Sequence, residues 1–149
     1  MTHPRLDARR ATQAWEKLMR VHAQLLRQFA DDDIWNPVSL AEYDILYALE
    51  TAGCRLHARD IQKAVLLSQP TLSRTVERLE KRGFVERDPD PQDGRAALVS
   101  LTPAGRKART VVGRKHALAI TQRLGAALRP DELDTLTELL DKVEKGNTP

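Results

Sequence analysis

The segment Ser68–Thr102 reads SQPTLSRTVERLEKRGFVERDPDPQDGRAALVSLT, and its pattern predicts one helix followed by a two-stranded hairpin. Leu72, Val76 and Leu79 recur at intervals of four and three residues, so they share one apolar face of a helix. Polar and basic side chains fall on the other faces. The first half of the segment is therefore predicted to be an amphipathic helix with a basic outer surface.

Local signals fix where these elements begin and end. Ser68 is a favourable N-cap, and Gly83 is favourable just beyond the C-terminus of a helix. We expect a short strand at Phe84–Arg87, a turn-rich charged tip at Asp88–Gly94, and a return strand at Ala96–Leu101. A basic helix followed by such a hairpin is typical of a winged helix-turn-helix. The alternative is a surface helix and hairpin whose charges are only solvated.

The residues before the segment strengthen the winged-helix interpretation. Ser39 and Glu42 have the spacing of a capping box, which predicts a helix that ends near Gly53. A further short helix is expected from Ala58 to Val65, and only about three residues separate it from the basic helix. Two short helices joined by a tight connection are the helix-turn-helix pattern.

Composition limits the kinds of protein that the chain can be. Its 149 residues, 41% hydrophobic and 30% charged, predict a single soluble globular domain. No apolar run approaches the ~18 residues of a membrane span, and the N-terminal residues show no secretory signal. Cys54 is the only cysteine, which favours a reducing compartment. We therefore expect a cytoplasmic protein without a membrane partner.

The positive charge is concentrated in one part of the chain. Residues 68–115 contain 11 basic and 6 acidic side chains, whereas residues 1–67 contain 9 of each. The excess thus coincides with the predicted winged helix, and it favours a polyanionic partner such as double-stranded DNA.

Long amphipathic helices are predicted on both sides of this module. One spans Leu6–Ala30, a second spans Pro103 to about Leu128, and a third begins at Pro130. Their apolar stripes need a partner, and a second copy of the chain would cover them in a two-fold dimer. The alternative is that the helices pack on each other within one monomer.

The order of these elements resembles the MarR family of bacterial transcription regulators. The resemblance covers Trp15 to Val143, and it is most specific at Leu67–Arg106, which includes the wing sequence Asp93-Gly94-Arg95. It implies a mainly α (α+β) fold: a single domain over 1–149, a winged helix-turn-helix at 39–102, and dimerisation helices at 1–30 and 103–146. It also implies a homodimer on a pseudo-palindromic operator, usually a repressor released by a small ligand or by oxidation.

The resemblance places the basic helix in the major groove and the wing arginine, here Arg95, in the minor groove. Asp93 is expected to hold Arg95 or a neighbouring basic residue. A narrow minor groove attracts arginine, and short polar or fork-shaped side chains suit base edges and phosphates. The predicted DNA-binding residues are Ser68, Gln69, Thr71, Ser73, Arg74, Arg78, Asp93 and Arg95, with Lys81 and Arg106 as further phosphate contacts.

The sequence indicates the effector-binding site less clearly than the DNA-binding residues. Family ligand pockets lie between the dimer helices and the DNA-binding module, and four residues are candidates to line one here: Trp15, His22, Tyr43 and Tyr47. Aromatic walls with a few polar groups suit a small aromatic or phenolic effector. The alternative is that these are ordinary core aromatics. Cys54, beside Arg55, is the only candidate for a redox-responsive site.

Other functions have weaker support. The four histidines show no ligand-like spacing, so we expect no metal and no cofactor. No phosphate loop, nucleophile elbow or paired His/carboxylate motif indicates an enzyme. A winged helix that acts mainly through protein contacts stays an alternative, and the sequence does not distinguish a repressor from an activator.

Overall fold

The computed structural model describes residues 7–147, which belong to two compact units, Met1–Asp33 and Ile34–Pro149. The first unit contains helix α1 (Ala8–Ala30). The second contains, in chain order, α2 (Leu40–Ala52), β1 (Leu56–His57), α3 (Ala58–Ala64), α4 (Gln69–Lys81), β2 (Val85–Pro89), β3 (Ala97–Leu101), α5 (Pro103–Leu124) and α6 (Pro130–Gly146). The mainly helical winged-helix fold predicted from the sequence is confirmed.

Helix α1 is the predicted amphipathic helix. The side chain of Asp7 caps it by accepting a hydrogen bond from the backbone N–H of Arg10 at 3.1 Å. The predicted start at Leu6 lies outside the described residues. No residue of α1 is buried, and its apolar stripe is exposed, including Trp15, Leu18, Met19, Val21 and Leu26.

Helix α2 begins and ends at the predicted signals. The hydroxyl of Ser39 accepts from the backbone N–H of Glu42 at 3.2 Å, and the Glu42 carboxylate accepts from the backbone N–H of Ser39 at 2.9 Å. This reciprocal capping box satisfies donors that the first turn of a helix leaves free. Gly53 ends the helix with φ 63°, a left-handed conformation that favours glycine.

The sheet contains one strand that the sequence did not predict. Strand β3 lies in the middle and pairs antiparallel with β2 on one side and with β1 on the other. With two residues, Leu56 and His57, β1 is too short to show an alternating pattern. The hairpin strands also shift slightly from the prediction, because Phe84 and Ala96 precede the paired residues while Pro89 pairs with Ala97.

One hydrophobic core joins α2 to the winged helix and α5. Leu72, Val76 and Leu79 of α4 are buried, as their spacing predicted. The other fully buried large side chains come from α2, α3, the hairpin, α5 and the loop before α2: Val38, Ile45, Leu46, Leu49, Ile61, Val85, Val99 and Val112. Burial of each such side chain contributes ~1.5–3 kcal/mol, so the core fixes α4 against α2.

Helix α5 is shorter than the sequence prediction of an end near Leu128. It begins as expected, where the Thr102 hydroxyl accepts from the backbone N–H of Gly105 at 3.0 Å. It ends at Leu124 with Gly125 as its cap, because glycine is ~1 kcal/mol less favourable than alanine inside a helix. After this break α6 has no buried residue, and it exposes Leu136, Leu139, Leu140 and Val143.

Within residues 7–147, no helix combines the length and the apolar character needed to cross a membrane.

We predict that Gly105→Ala destabilises the protein, although alanine is normally the better helix residue. A Cβ at this position would lie 2.0 Å from the carbonyl oxygen of Phe84, so the backbone between α4 and β2 would have to move. Urea denaturation should show a loss of ~1–3 kcal/mol in the free energy of unfolding. Gly146→Ala, where nothing lies within 4 Å, is the matched control and should change it by less than ~0.5 kcal/mol.

Candidate nucleic-acid interface

Helix α4 presents its polar face to solvent because its apolar face is in the core. Gln69, Ser73 and Arg74 are exposed on it. Within residues 7–147, the guanidinium of Arg74 has no carboxylate partner. These three predicted contact residues are thus available to an external ligand of the helix.

The two remaining predicted residues in the first turn of α4 bind each other. The Ser68 hydroxyl donates to the Thr71 hydroxyl at 2.9 Å and accepts from the backbone N–H of Thr71 at 3.4 Å. Ser68 therefore acts first as the N-cap of α4. Its second lone pair and the Thr71 hydroxyl proton remain for a further partner.

The wing is the hairpin formed by β2 and β3, and it carries Asp93 and Arg95 in its tip. The Asp93 carboxylate accepts from the backbone N–H of Arg95 at 3.2 Å, and its carbonyl accepts from the N–H of Ala96 at 3.0 Å. The aspartate thus shapes the turn through the backbone. Within the described residues no carboxylate neutralises the exposed Arg95 guanidinium, so the tip presents a free positive charge.

A buried carboxylate connects α2 to the C-terminal half of α4. Glu42 is only 6% exposed, and its oxygens lie 3.2 Å from Nη1 of Arg82 and 3.8 Å from Nε of Arg78. The second terminal nitrogen of Arg82 also donates to the carbonyl of Pro37. Arg78, a predicted DNA contact, therefore also has a structural partner, which local spacing did not reveal.

The two further basic residues expected at phosphates also have carboxylate partners. Lys81 lies 3.2 Å from Glu77, and Arg106 lies 3.4 Å from Glu50. Glu50 additionally pairs with Arg109, whose guanidinium lies 5.4 Å above the ring of Tyr47. The exposed Lys81–Glu77 pair exchanges readily with other partners, since such a pair contributes only ~0–1 kcal/mol.

A second candidate site lies between α2 and α5. A cavity of about 650 Å³ is lined by Tyr43, Asp44 and Tyr47 of α2 and by residues of α5 that include Arg109, Arg114 and His116. Tyr43 and Tyr47 stack with ring centroids 6.0 Å apart, and Tyr43 is 8% exposed against 48% for Tyr47. The structure thus brings together two of the four residues predicted to line a ligand pocket.

Sequence reasoning missed two aromatic residues near Tyr43, namely Trp35 and His116, and of these His116 lines the cavity. The His116 ring lies 5.5 Å from that of Tyr43 and 5.2 Å from that of Trp35. Their sequence separation leaves no local signal. The other two predicted residues, Trp15 and His22, lie on α1, where both are exposed.

Burial raises the pKa of two side chains that line this cavity. Desolvation raises the pKa of the Asp44 carboxyl to about 6. It also raises the pKa of the Tyr43 hydroxyl, although the nearby Arg109 opposes this shift. The cavity thus contains a carboxyl group whose charge changes near neutral pH.

Cys54, the candidate redox residue, is exposed. It lines a recess of about 210 Å³ together with Arg55, Arg106 and Glu50. Among residues 7–147, no group of three or more His, Cys, Asp or Glu side chains could hold a metal ion.

A winged helix-turn-helix with free arginines on its helix and wing defines a class of DNA-binding protein. Comparison with known proteins specifies the class further. A model of the MarR family matches residues 36–96. The multiple antibiotic resistance protein MarR of Salmonella typhimurium is 30% identical over 106 residues, which cover 71% of this chain and 73% of the relative.

Solved structures agree with this assignment. BpsR of Bordetella bronchiseptica, whose DNA binding is regulated by 6-hydroxynicotinic acid, is 30% identical with a TM-score of 0.71, covering 89% of this chain and 98% of BpsR. Sco3205 of Streptomyces coelicolor, solved in complex with DNA, is 25% identical with a TM-score of 0.73, covering 100% and 94%. The chain belongs to the MarR family of DNA-binding transcriptional regulators, which are not enzymes.

We predict that Glu42→Gln lowers the free energy of unfolding by ~1–3 kcal/mol, because Arg78 and Arg82 lose their buried counter-charge. Glutamine can still complete the capping box, so the change isolates the charge. Urea denaturation measures the effect. The control Glu77→Gln removes only an exposed pair with Lys81 and should cost less than ~0.5 kcal/mol; equal losses in the two variants would contradict the prediction.

We predict that Asp44→Asn stabilises the protein at neutral pH. The raised pKa means that the folded state binds more protons than the unfolded state between about pH 4 and pH 6, so wild-type stability falls as the pH rises through this window. Asparagine carries no such cost. Because Asp44 is only partly buried, we expect a gain of ~1 kcal/mol at pH 7.

Urea denaturation of wild type and Asp44→Asn across the pH range measures this effect. The difference between them should disappear below about pH 3, where Asp44 is protonated in both the folded and the unfolded wild-type protein. A difference that did not change with pH would show that packing, rather than ionisation, distinguishes the variants.

Proposed function

We propose that the protein is a ligand-responsive repressor that binds a pseudo-palindromic operator as a homodimer. The observation that carries this proposal is the pair of exposed arginines, Arg74 on α4 and Arg95 on the wing, neither of which has a carboxylate partner within residues 7–147. Arginine is the side chain best suited to bidentate contact with guanine and to narrow minor grooves.

Base and phosphate contacts are divided among the predicted residues. Gln69, Ser73 and Arg74 would contact base edges in the major groove, while Arg95 would enter the adjacent minor groove. Ser68, Thr71 and Arg78 would contact phosphates, and Asp93 would act indirectly by shaping the wing turn. Phosphate contacts set the register of the protein, whereas base contacts select the sequence.

Homodimer formation would cover the exposed apolar stripes. The segments 1–30 and 103–146 would supply the interface, with Leu139 and Val143 of α6 among the exposed residues. A two-fold dimer places its two copies of α4, the recognition helices, about 34–36 Å apart on one side of the duplex, which requires half-sites one turn apart.

The cavity between α2 and α5 would hold the effector. Its volume of about 650 Å³ suits a small molecule, and its tyrosine rings favour a small aromatic or phenolic compound. BpsR, which responds to 6-hydroxynicotinic acid, provides a related example. Trp15 and His22 of α1 remain predicted ligand-binding residues.

Fluorescence anisotropy tests this function directly. The purified protein is titrated onto the duplex upstream of its own gene and onto a scrambled duplex, over a salt series. Selective binding, two chains per duplex, and release by small phenols would support the proposal. Equal affinity for both duplexes and for fragments selected from the whole genome would contradict sequence-specific regulation.

We predict that Arg95→Ala weakens operator binding by ~1–3 kcal/mol without changing the unfolding midpoint, because the side chain has no carboxylate partner within residues 7–147 to lose. Arg55→Ala, which removes an exposed arginine of the same module, should leave the affinity nearly unchanged. Wild-type affinity in Arg95→Ala would refute the wing assignment.

A further inference from the structure

Two surface recesses meet between the recognition helix and the wing. The first, called here the α3–α4 groove, has a volume of about 220 Å³ and is bordered by Arg59, Gln62, Gln69, Ser73 and Arg87. The second, called here the wing recess, has about 530 Å³ and is bordered by His57, Arg59, Asp90, Gln92 and Asp93. Arg59 borders both recesses, so it lies at their junction.

The charges around this junction leave Arg59 as the free cation. Arg87 also borders the α3–α4 groove, but Glu80 holds it through Nε at 2.8 Å. Arg59 is exposed and, within residues 7–147, has no carboxylate partner. Neither of the two nearby aspartates pairs with Arg59, since the Asp90 carboxylate lies 3.1 Å from His57 and the Asp93 carboxylate accepts from the N–H of Arg95.

The position of Arg59 relative to the wing is fixed by the fold. His57, two residues earlier, pairs with Leu98 of β3 in the sheet, and its Nε2 lies 3.1 Å from the Asp90 carboxylate at the base of the wing tip. The short strand β1 thus attaches the start of α3 to the wing at two points. Arg59 therefore keeps its place between the two DNA-reading elements.

We propose that Arg59 binds a backbone phosphate of double-stranded DNA at this junction. The inference rests on the proposed function, because a duplex that receives α4 in its major groove and the wing in the adjacent minor groove must carry a phosphate strand between them. A guanidinium binds phosphate in a bidentate manner. The side-chain amide of Gln62, on the same groove, can donate to a further phosphate oxygen.

The test measures how DNA affinity depends on salt. Each phosphate neutralised contributes ~0.9 to the slope of log affinity against log salt concentration. A homodimer carries two copies of Arg59, so Arg59→Ala should reduce the slope by ~1.8 on operator and scrambled duplex alike. The ratio of the two affinities should not change, since phosphate contacts do not read the sequence. Arg59→Lys keeps the charge and should retain the wild-type slope.

Arg55→Ala serves as the matched control, because it removes the same charge from the same module and Arg55 borders neither of the two recesses. Its slope should equal that of wild type, and thermal melting of all variants monitors folding. A wild-type slope in Arg59→Ala, or an equal reduction in Arg55→Ala, would overturn the inference. A wild-type protein whose affinity for every duplex is independent of salt would instead refute the proposed function.

Discussion

The carboxylate of Glu42 joins three parts of the chain that are distant in sequence. It caps the N-terminus of α2 through Ser39, and it faces Arg78 and Arg82 at the end of α4, where Arg82 also binds the Pro37 carbonyl. A buried charge is costly unless it is paired and hydrogen-bonded, and here the cap and two guanidinium groups meet that need. Hydrophobic burial is non-directional, so this interaction adds the orientation that the core alone does not specify for α4.

Six arginines on or between α3 and α5 separate into two groups by their partners. Arg82, Arg87 and Arg109 each bind a carboxylate that belongs to the fold. Arg59, Arg74 and Arg95 have no such partner within residues 7–147. A paired arginine holds elements together and adds little to the external field, whereas an unpaired one keeps its full attraction for a polyanion. The basic part of the chain therefore contains arginines that hold the fold together and arginines whose charge stays available to a ligand. Its net charge does not show which arginines belong to which group.

Local sequence signals predicted most of the fold, because helices begin and end through interactions between residues that are close together in the sequence. Ser39, Ser68 and Thr102 cap helices as expected, and Gly53 and Gly83 follow helices in left-handed conformations. The sequence analysis did not predict β1, because two residues are too few to show an alternating pattern. The strand forms because its backbone pairs with that of β3. The end of α5 was placed too late because Gly125 was not weighed against the apolar residues beyond it.

The candidate sites were less predictable because their contacts join distant residues. Tyr43 and Tyr47 are four residues apart, a spacing that places both side chains on one face of a helix, and the two rings do stack. The spacing gave no indication of the His116 ring beside Tyr43, or of the desolvation of Asp44 by neighbouring elements. The partners of Arg78 and Arg106 were equally hidden, since Glu42 and Glu50 lie 36 and 56 residues away from them along the chain.

Adjacent residues of α2 contact helix α4 and line the cavity. Glu42 contacts the recognition helix, while the next two residues, Tyr43 and Asp44, line the cavity. Consecutive residues of a helix cannot move independently, so a displacement of α2 by an effector would also move the anchor of Arg78 and Arg82. An effector shifts an equilibrium only by its differential affinity for two states. Under the proposed function, that difference would come from the Tyr43–Asp44 side of α2, and the Glu42 carboxylate would transmit it to the DNA-binding surface.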